Sequence, residues 1–251
     1  MRRVALAVVV TITVVAAIAQ AHIAPSVDDN NRYLKVTPGA DRIRLAYTVF
    51  FGEKPGALTR KTIDANRDGT ISDDEAQAFA VRIAGEVGPS LEITVDGTTR
   101  PVSWSTVAVG MGSPSTSAGA FSIDLVAWLC LPSARGTHTV LLRDRFRIPR
   151  PGETEVKVED GPGITIDRAR IGPANDPSHD FKFVGPGGPL SDDGLDLAFT
   201  ASDKAPLTAD GTCNATPASG GGLPIGWMMA GAAVLGFAGM AVYIHRRRRR
   251  P

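Results

Sequence analysis

The chain has 251 residues, is 43% hydrophobic, and carries 27 Lys+Arg against 26 Asp+Glu, for a formal net charge of +1. That balance hides an asymmetry: Arg2, Arg3 and the five arginines at 246–250 sit at the two ends and leave an acidic middle. Such a middle argues against nucleic acid as a partner, and two cysteines without C-x-x-C spacing exclude a zinc-finger framework.

Residues 1–21 are predicted to be a secretory signal peptide. Arg2 and Arg3 precede an uncharged apolar run over 4–18, and Ala19-Gln20-Ala21 supplies an A-x-A cleavage site. Cleavage there would make His22 the new N-terminus. An α-amine and an imidazole on one residue can chelate nickel, cobalt or copper, which favour nitrogen donors. The plainer reading is an accident of the cleavage site. A metal at His22 would need at least one further ligand, and His138 and His179 are the other imidazoles before the basic tail.

Residues 22–206 are expected to form one extracytoplasmic, mainly β domain. Ile43, Leu45, Tyr47 and Val49 alternate with polar residues, and so do Leu91, Ile93 and Val95. The same period of two recurs at Phe121, Ile123 and Leu125, at Val156 and Val158, and at Leu195, Leu197 and Phe199. Turn signals such as Asp96-Gly97 and Pro151-Gly152 separate these runs. The pattern predicts an antiparallel β-sandwich.

Between Phe51 and Leu91 the pattern changes. Residues 64–75 read D-A-N-R-D-G-T-I-S-D-D-E, which matches an EF-hand calcium loop at every ligand position. Asp64, Asn66 and Asp68 occupy positions one, three and five. Gly69 stands at the sixth, where the chain must turn with positive φ. Thr70 offers a backbone carbonyl, Ser72 a hydroxyl or bridging water, and Glu75 a carboxylate able to bind bidentately. Ile71 points inward. Arg67 reduces the local negative charge and implies modest affinity. A degenerate helix–loop–helix that keeps its shape without metal is the alternative.

Ala76, Phe79, Ala80, Ile83, Ala84 and Val87 recur at helical spacing and predict an exit helix ending at Gly88-Pro89. The entering segment from Gly56 is short. The insertion is therefore placed at 56–87, with Ca2+ as its ion. EF-hands usually pair, and one loop is visible, so the exit helix is expected to pack on the sheet in place of a partner.

Residues 110–119 are predicted to be a flexible loop between strands, and residues 207–222 a stalk. Cys130 and Cys213 are read either as one disulfide tying the stalk to the domain or as two thiols. Residues 223–244 contain no charge and are long enough to cross a bilayer as a helix, and the arginines behind them keep residues 245–251 in the cytoplasm. The protein is thus expected at the cell membrane with a single span and its N-terminal domain outside. Leu223-Pro224-Ile225-Gly226 ahead of the span also resembles a bacterial surface-sorting signal. Whether the tail is kept or processed stays open. No nucleophile-elbow, zincin or phosphate-cradle motif stands out, so no catalytic residue is assigned and the chain is read as a non-enzyme.

A resemblance rests on His22-Ile23-Ala24-Pro25-Ser26, Asn31-Arg32-Tyr33-Leu34, the strand from Asp41 to Tyr47, and the strand Leu91-Glu92-Ile93-Thr94-Val95-Asp96-Gly97, which an acidic, Gly-containing loop and a helix precede. It rests also on Leu142-Arg143-Asp144 and the segment from Pro151-Gly152 to Val158. Together they resemble the extracytoplasmic domain found ahead of the membrane part in bacterial nickel/cobalt transporter-like and HupE/UreJ-like proteins. That resemblance implies an exported β-rich domain and adds weight to metal binding. This chain lacks the polytopic permease, so transport by it alone is not implied; a separate permease or another protein is the expected partner.

Overall fold

The computed structural model describes residues 28–172, 174–175, 179–184, 188–208 and 213, all within one compact unit that closes at Cys213. The predicted signal peptide, His22 and the predicted span at 223–244 lie outside the described residues. Among the described residues no helix is long and apolar enough to cross a membrane.

The chain is mainly β, with two six-stranded sheets and little helix. The strands are β1 (Asn30–Pro38), β2 (Arg42–Phe51), β3 (Leu91–Val95), β4 (Thr98–Thr99), β5 (Trp104–Gly110), β6 (Phe121–Cys130), β7 (Gly136–Asp144), β8 (Pro151–Val158), β9 (Ile164–Ile171), β10 (Ala174–Asn175), β11 (Asp180–Val184) and β12 (Leu195–Ala201). Helices α1 (Glu53–Ile63) and α2 (Asp73–Ser90) fall between β2 and β3, and the short α3 (Pro189–Asp192) precedes β12.

One sheet runs β11-β8-β1-β2-β6-β5 and the other β10-β9-β12-β7-β3-β4. Their inner faces join in one hydrophobic cluster, a sandwich-like arrangement, with Leu34, Ile43, Leu45 and Ile123 from the first sheet and Ile93, Leu142, Leu195 and Leu197 from the second. The expectation of an all-antiparallel sheet is corrected at one place: β1 and β8 pair in parallel, Leu34 opposite Val156 and Val36 opposite Val158. The long connection from β1 through six other strands makes this possible, since parallel neighbours need a crossover rather than a hairpin.

A polar clasp joins the sheets inside this core. Arg32 on β1 donates from Nη1 to Asp144 Oδ2 at the end of β7 (2.8 Å) and to the Phe146 carbonyl (2.8 Å), and from Nη2 to Thr154 Oγ1 on β8 (2.9 Å). Tyr47 on β2 donates its hydroxyl to the same Asp144 oxygen at 2.9 Å. All four side chains are buried. Burial raises the Asp144 carboxyl above its ordinary value despite the Arg32 charge, the Phe146 N–H and the Tyr47 hydroxyl, which pull it down. Burial, then the Asp144 charge, pushes the Tyr47 phenol well up. Every charged member has a partner, which is the condition for holding ions in a core.

Cys130, the last residue of β6, forms a disulfide with Cys213, with Cα atoms 5.1 Å apart. Thr208 also binds back, its hydroxyl donating to Asp41 Oδ1 at 2.9 Å. The segment read as a stalk from 207 therefore still touches the domain at 208 and 213.

Candidate metal centre

The exit helix α2 is seated first by its aromatic contact. Phe79 lies against Phe51 and Phe121, with ring centroids 5.8 and 6.0 Å away, and those two rings stack at 4.4 Å as direct cross-strand partners on β2 and β6. Trp104 on β5 donates its indole N–H to the Ala84 carbonyl at 3.0 Å. Ala76, Ala80, Ile83 and Val87 complete the buried face. The helix runs to Ser90 rather than stopping at Gly88-Pro89. Pro89 sits in the last turn, where it forfeits only its own N–H, and the Ser90 hydroxyl donates to the Glu86 carbonyl at 2.8 Å.

The loop between the helices winds through two residues of positive φ, Arg67 at 60° and Gly69 at 87°. A Cβ on Gly69 would meet nothing within 4 Å, so conformation rather than space selects glycine there. The acidic and amide side chains fold over the loop's own amides. Asp64 accepts from the N–H of Asp68 (3.2 Å) and of Gly69 (2.9 Å). Asn66 Oδ1 accepts from Asp68 N–H at 2.9 Å, and Asp68 Oδ1 from Thr70 N–H at 2.8 Å. These are successive Asx turns, each pinning a side chain at position one, three or five onto the loop's own backbone.

Ser72 and Glu75 form a capping box at the start of α2: Glu75 N–H donates to Ser72 Oγ (3.3 Å) and Ser72 N–H to Glu75 Oε2 (2.9 Å). The other oxygen, Oε1, accepts from the N–H groups of Ala65 (2.9 Å) and Asn66 (3.3 Å). The twelfth position thereby reaches back to the second and third and closes the loop. The backbone N–H of Ser72, then its hydroxyl, hold the Glu75 carboxyl below its ordinary value, with the Ala65 and Asn66 amides adding to the effect.

The six predicted ligand residues, Asp64, Asn66, Asp68, Thr70, Ser72 and Glu75, are therefore brought together on one loop. They offer oxygen alone, which suits a hard cation, and the three carboxylates carry formal charge for a divalent ion. Among the described residues no group of three or more His, Cys, Asp or Glu side chains converges as a metal cluster. The carboxylates of Asp64, Asp68 and Glu75 each face amides of the loop rather than one common point. A carboxylate has about four lone-pair positions, so these hydrogen bonds leave room for an ion on each ligand. The donor set fits calcium.

The loop also has a neighbouring segment of chain paired to it. Residues 113–116, inside the stretch predicted to be a flexible linker, run antiparallel to the loop as an isolated bridge between Thr70 and Ser115. Ile71 N–H donates to the Pro114 carbonyl at 2.8 Å, and Thr116 N–H and hydroxyl donate to the Gly69 carbonyl at 3.2 and 3.1 Å. On the other side stands Arg60 of α1, fully buried. Its Nε donates to the Gly119 carbonyl (2.8 Å), Nη1 to Ser113 (2.7 Å) and Ser115 (3.3 Å), and Nη2 to Met111 (2.5 Å) and Ala120 (3.1 Å). Desolvation lowers the Arg60 pKa, and the nearby Glu53 charge opposes that.

Sequence reasoning missed Arg60 and Gly56. The available signal was spacing: Gly56, Arg60 and Ile63 fall at i, i+4 and i+7, and all three are buried on one face of α1.

Both ring nitrogens of buried His138 are engaged, Nδ1 with Asp96 Oδ2 (2.8 Å) and Nε2 with the Arg135 carbonyl (2.9 Å). His179 Nδ1 lies 4.0 Å from Asp160 Oδ1. No protein-family model matches the chain. No curated protein matches it either.

Proposed function

We propose that this chain is an exported, membrane-anchored calcium-binding protein with a structural or interaction role, built as a mostly antiparallel β-sandwich whose EF-hand insertion takes one Ca2+. The observation that carries the reading is the 64–75 loop. It has the ligand types at all six positions, and its hydrogen bonds hold them in register around a glycine at φ 87°. Ser72 and Glu75 would bind the ion while also capping α2, so occupancy and the start of that helix are coupled. The ion would neutralise the carboxylates of Asp64, Asp68 and Glu75. The setting outside the cytoplasm is supported by the leader and the apolar span in the sequence, and by the Cys130–Cys213 disulfide, a bond favoured in oxidising compartments.

The test is calorimetric titration of calcium into the full chain after metal stripping, beside Glu75→Gln. One site is expected, with a Kd on the order of 10⁻⁴–10⁻³ M as in extracellular EF-hand modules, and with magnesium weaker. Glu75→Gln removes a ligand charge and should abolish the calcium heat. A silent wild-type chain, or a variant with wild-type affinity, would overturn the assignment.

A further inference from the structure

A lone EF-hand leaves backbone groups of its loop without partners, and buried backbone groups require them. Here residues 113–116 supply the partners in an alternating manner. The carbonyls of Ser113 and Ser115 turn to Arg60, while the carbonyl of Pro114 between them turns to Ile71. That is the geometry of an extended strand, in which successive carbonyls point to opposite sides. One side is thus read by the calcium loop and the other by a guanidinium.

The convergence on Arg60 is complete. A guanidinium has five N–H donors, and five backbone carbonyls between Met111 and Ala120 accept them. Five carbonyl dipoles aimed at one point repel one another unless a cation stands there. Beyond Met111, which packs against the core, the segment is made of Gly, Ser, Pro, Thr and Ala, so it has little apolar surface to hold it. Gly56 lets α1 come close to it, since a Cβ there would lie 2.6 Å from the Gly119 oxygen. Arg60 also precedes Asp64 by one helical turn, and the Asp64 N–H donates to the Arg60 carbonyl at 3.2 Å. The organiser of the segment and the first calcium ligand therefore move as one piece.

We propose that residues 111–120 are a built-in counterpart of the missing second EF-hand, held against the calcium loop by Arg60 whether or not the ion is bound. Arg60 is a positioning residue, and the site is single and preformed. The part of this inference that concerns affinity rests on the calcium reading; the part that concerns the loop does not.

Hydrogen exchange on the full chain, in chelator and in calcium, tests both. In chelator the amides of Ile71 and Thr116 should be protected. Arg60→Met should expose those two amides while the β2 amides stay protected. It should also weaken calcium binding about tenfold, as expected if a tenth of the molecules hold a competent loop. Arg60→Lys, with three donors instead of five, should fall between. If Arg60→Met fails to fold, Thr116→Pro removes both Thr116 donors to the Gly69 carbonyl while keeping all five guanidinium donors, and should expose the Ile71 amide. Amides protected only in calcium, or unchanged in the Arg60 variants, would overturn the proposal. Calcium binding with exposed amides in chelator removes this proposal and leaves the metal assignment. Protected amides that open in the variants, in a chain that binds no calcium, do the reverse.

Discussion

Replacing Gly56 by alanine sets two effects of opposite sign against each other. Alanine is the better helix former, and the exchange alone should stabilise α1 by about 0.5–1 kcal/mol. The added Cβ, however, would stand 2.6 Å from the Gly119 oxygen, 3.1 Å from its carbonyl carbon and 3.3 Å from Ala120 Cα. All three are backbone atoms, so no side chain can swing away. The Gly119 oxygen is also the acceptor for Arg60 Nε at 2.8 Å, and relief of the clash must lengthen that bond. Overpacking of this kind costs about 1–3 kcal/mol, and a hydrogen bond from a charged donor is worth a further ~1.5–3 kcal/mol when lost entirely. The steric side wins, and Gly56→Ala should destabilise the chain by about 2 kcal/mol net of the helix gain. Gly85 on α2 is the control: a Cβ there meets nothing within 4 Å, so Gly85→Ala should stabilise by about 0.5–1 kcal/mol. Urea unfolding of both variants gives the answer. A Gly56→Ala chain as stable as Gly85→Ala would refute the close approach of α1 to the 111–120 segment.

Two further outcomes follow from features remote from the metal loop. The Cys130–Cys213 disulfide closes a loop with a sequence separation of 83, and the chain-entropy model gives about 4.5 kcal/mol for such a loop. The urea midpoint should therefore fall sharply in reductant, and an unchanged midpoint would mean the bond adds nothing. Hydrogen bonds from Arg168 and then Arg170 hold Asp196 below its ordinary 3.8, and those from Arg145 and Lys35 hold Glu92 and Glu159 below 4.5. Groups depressed in the fold stabilise it above their unfolded values and lose that contribution as pH falls through the folded ones. Asp144 is raised and acts in the opposite direction. The melting temperature should hold from neutrality down to about pH 4.5 and decline below it, less steeply in Asp196→Asn; a maximum near pH 3 would contradict this balance.

The loop at 64–75 was legible because its residue types are fixed position by position. Strands were legible where alternation runs unbroken, as in Ile43 to Val49 within β2 and Leu91 to Val95 in β3. Two others were hidden by bulges. In β9 the pairing slips between Ala198 and Phe199, so the inward set changes from the even positions Ile164 and Ile166 to the odd positions Ala169 and Ile171. In β5 a slip between Trp104 and Thr106 does the same. A one-residue shift turns every later side chain to the other face, and a period-two pattern is lost. β1 escaped because Asn30, Asn31 and Arg32 are buried polar residues at its start. The 110–119 segment read as flexible from its glycine and serine content. Its order comes from Arg60, more than fifty residues earlier, and no local composition records such a partner.

The disulfide also decides how this molecule carries force. Tension applied to the chain beyond residue 213 enters the fold at Cys130, the end of β6, and not through the intervening polypeptide. β6 is an interior strand, hydrogen-bonded to β2 along its whole length and to β5 on the other side. The second-sheet strands β7, β9 and β12 lie in the bypassed segment, off the covalent path of the pull. With the bond reduced, the same tension reaches β12 first at its Ala201 end and must be borne by its pairs with β7 and β9. A single covalent link thus moves the mechanical attachment from the last strand of the chain to the middle of the first sheet.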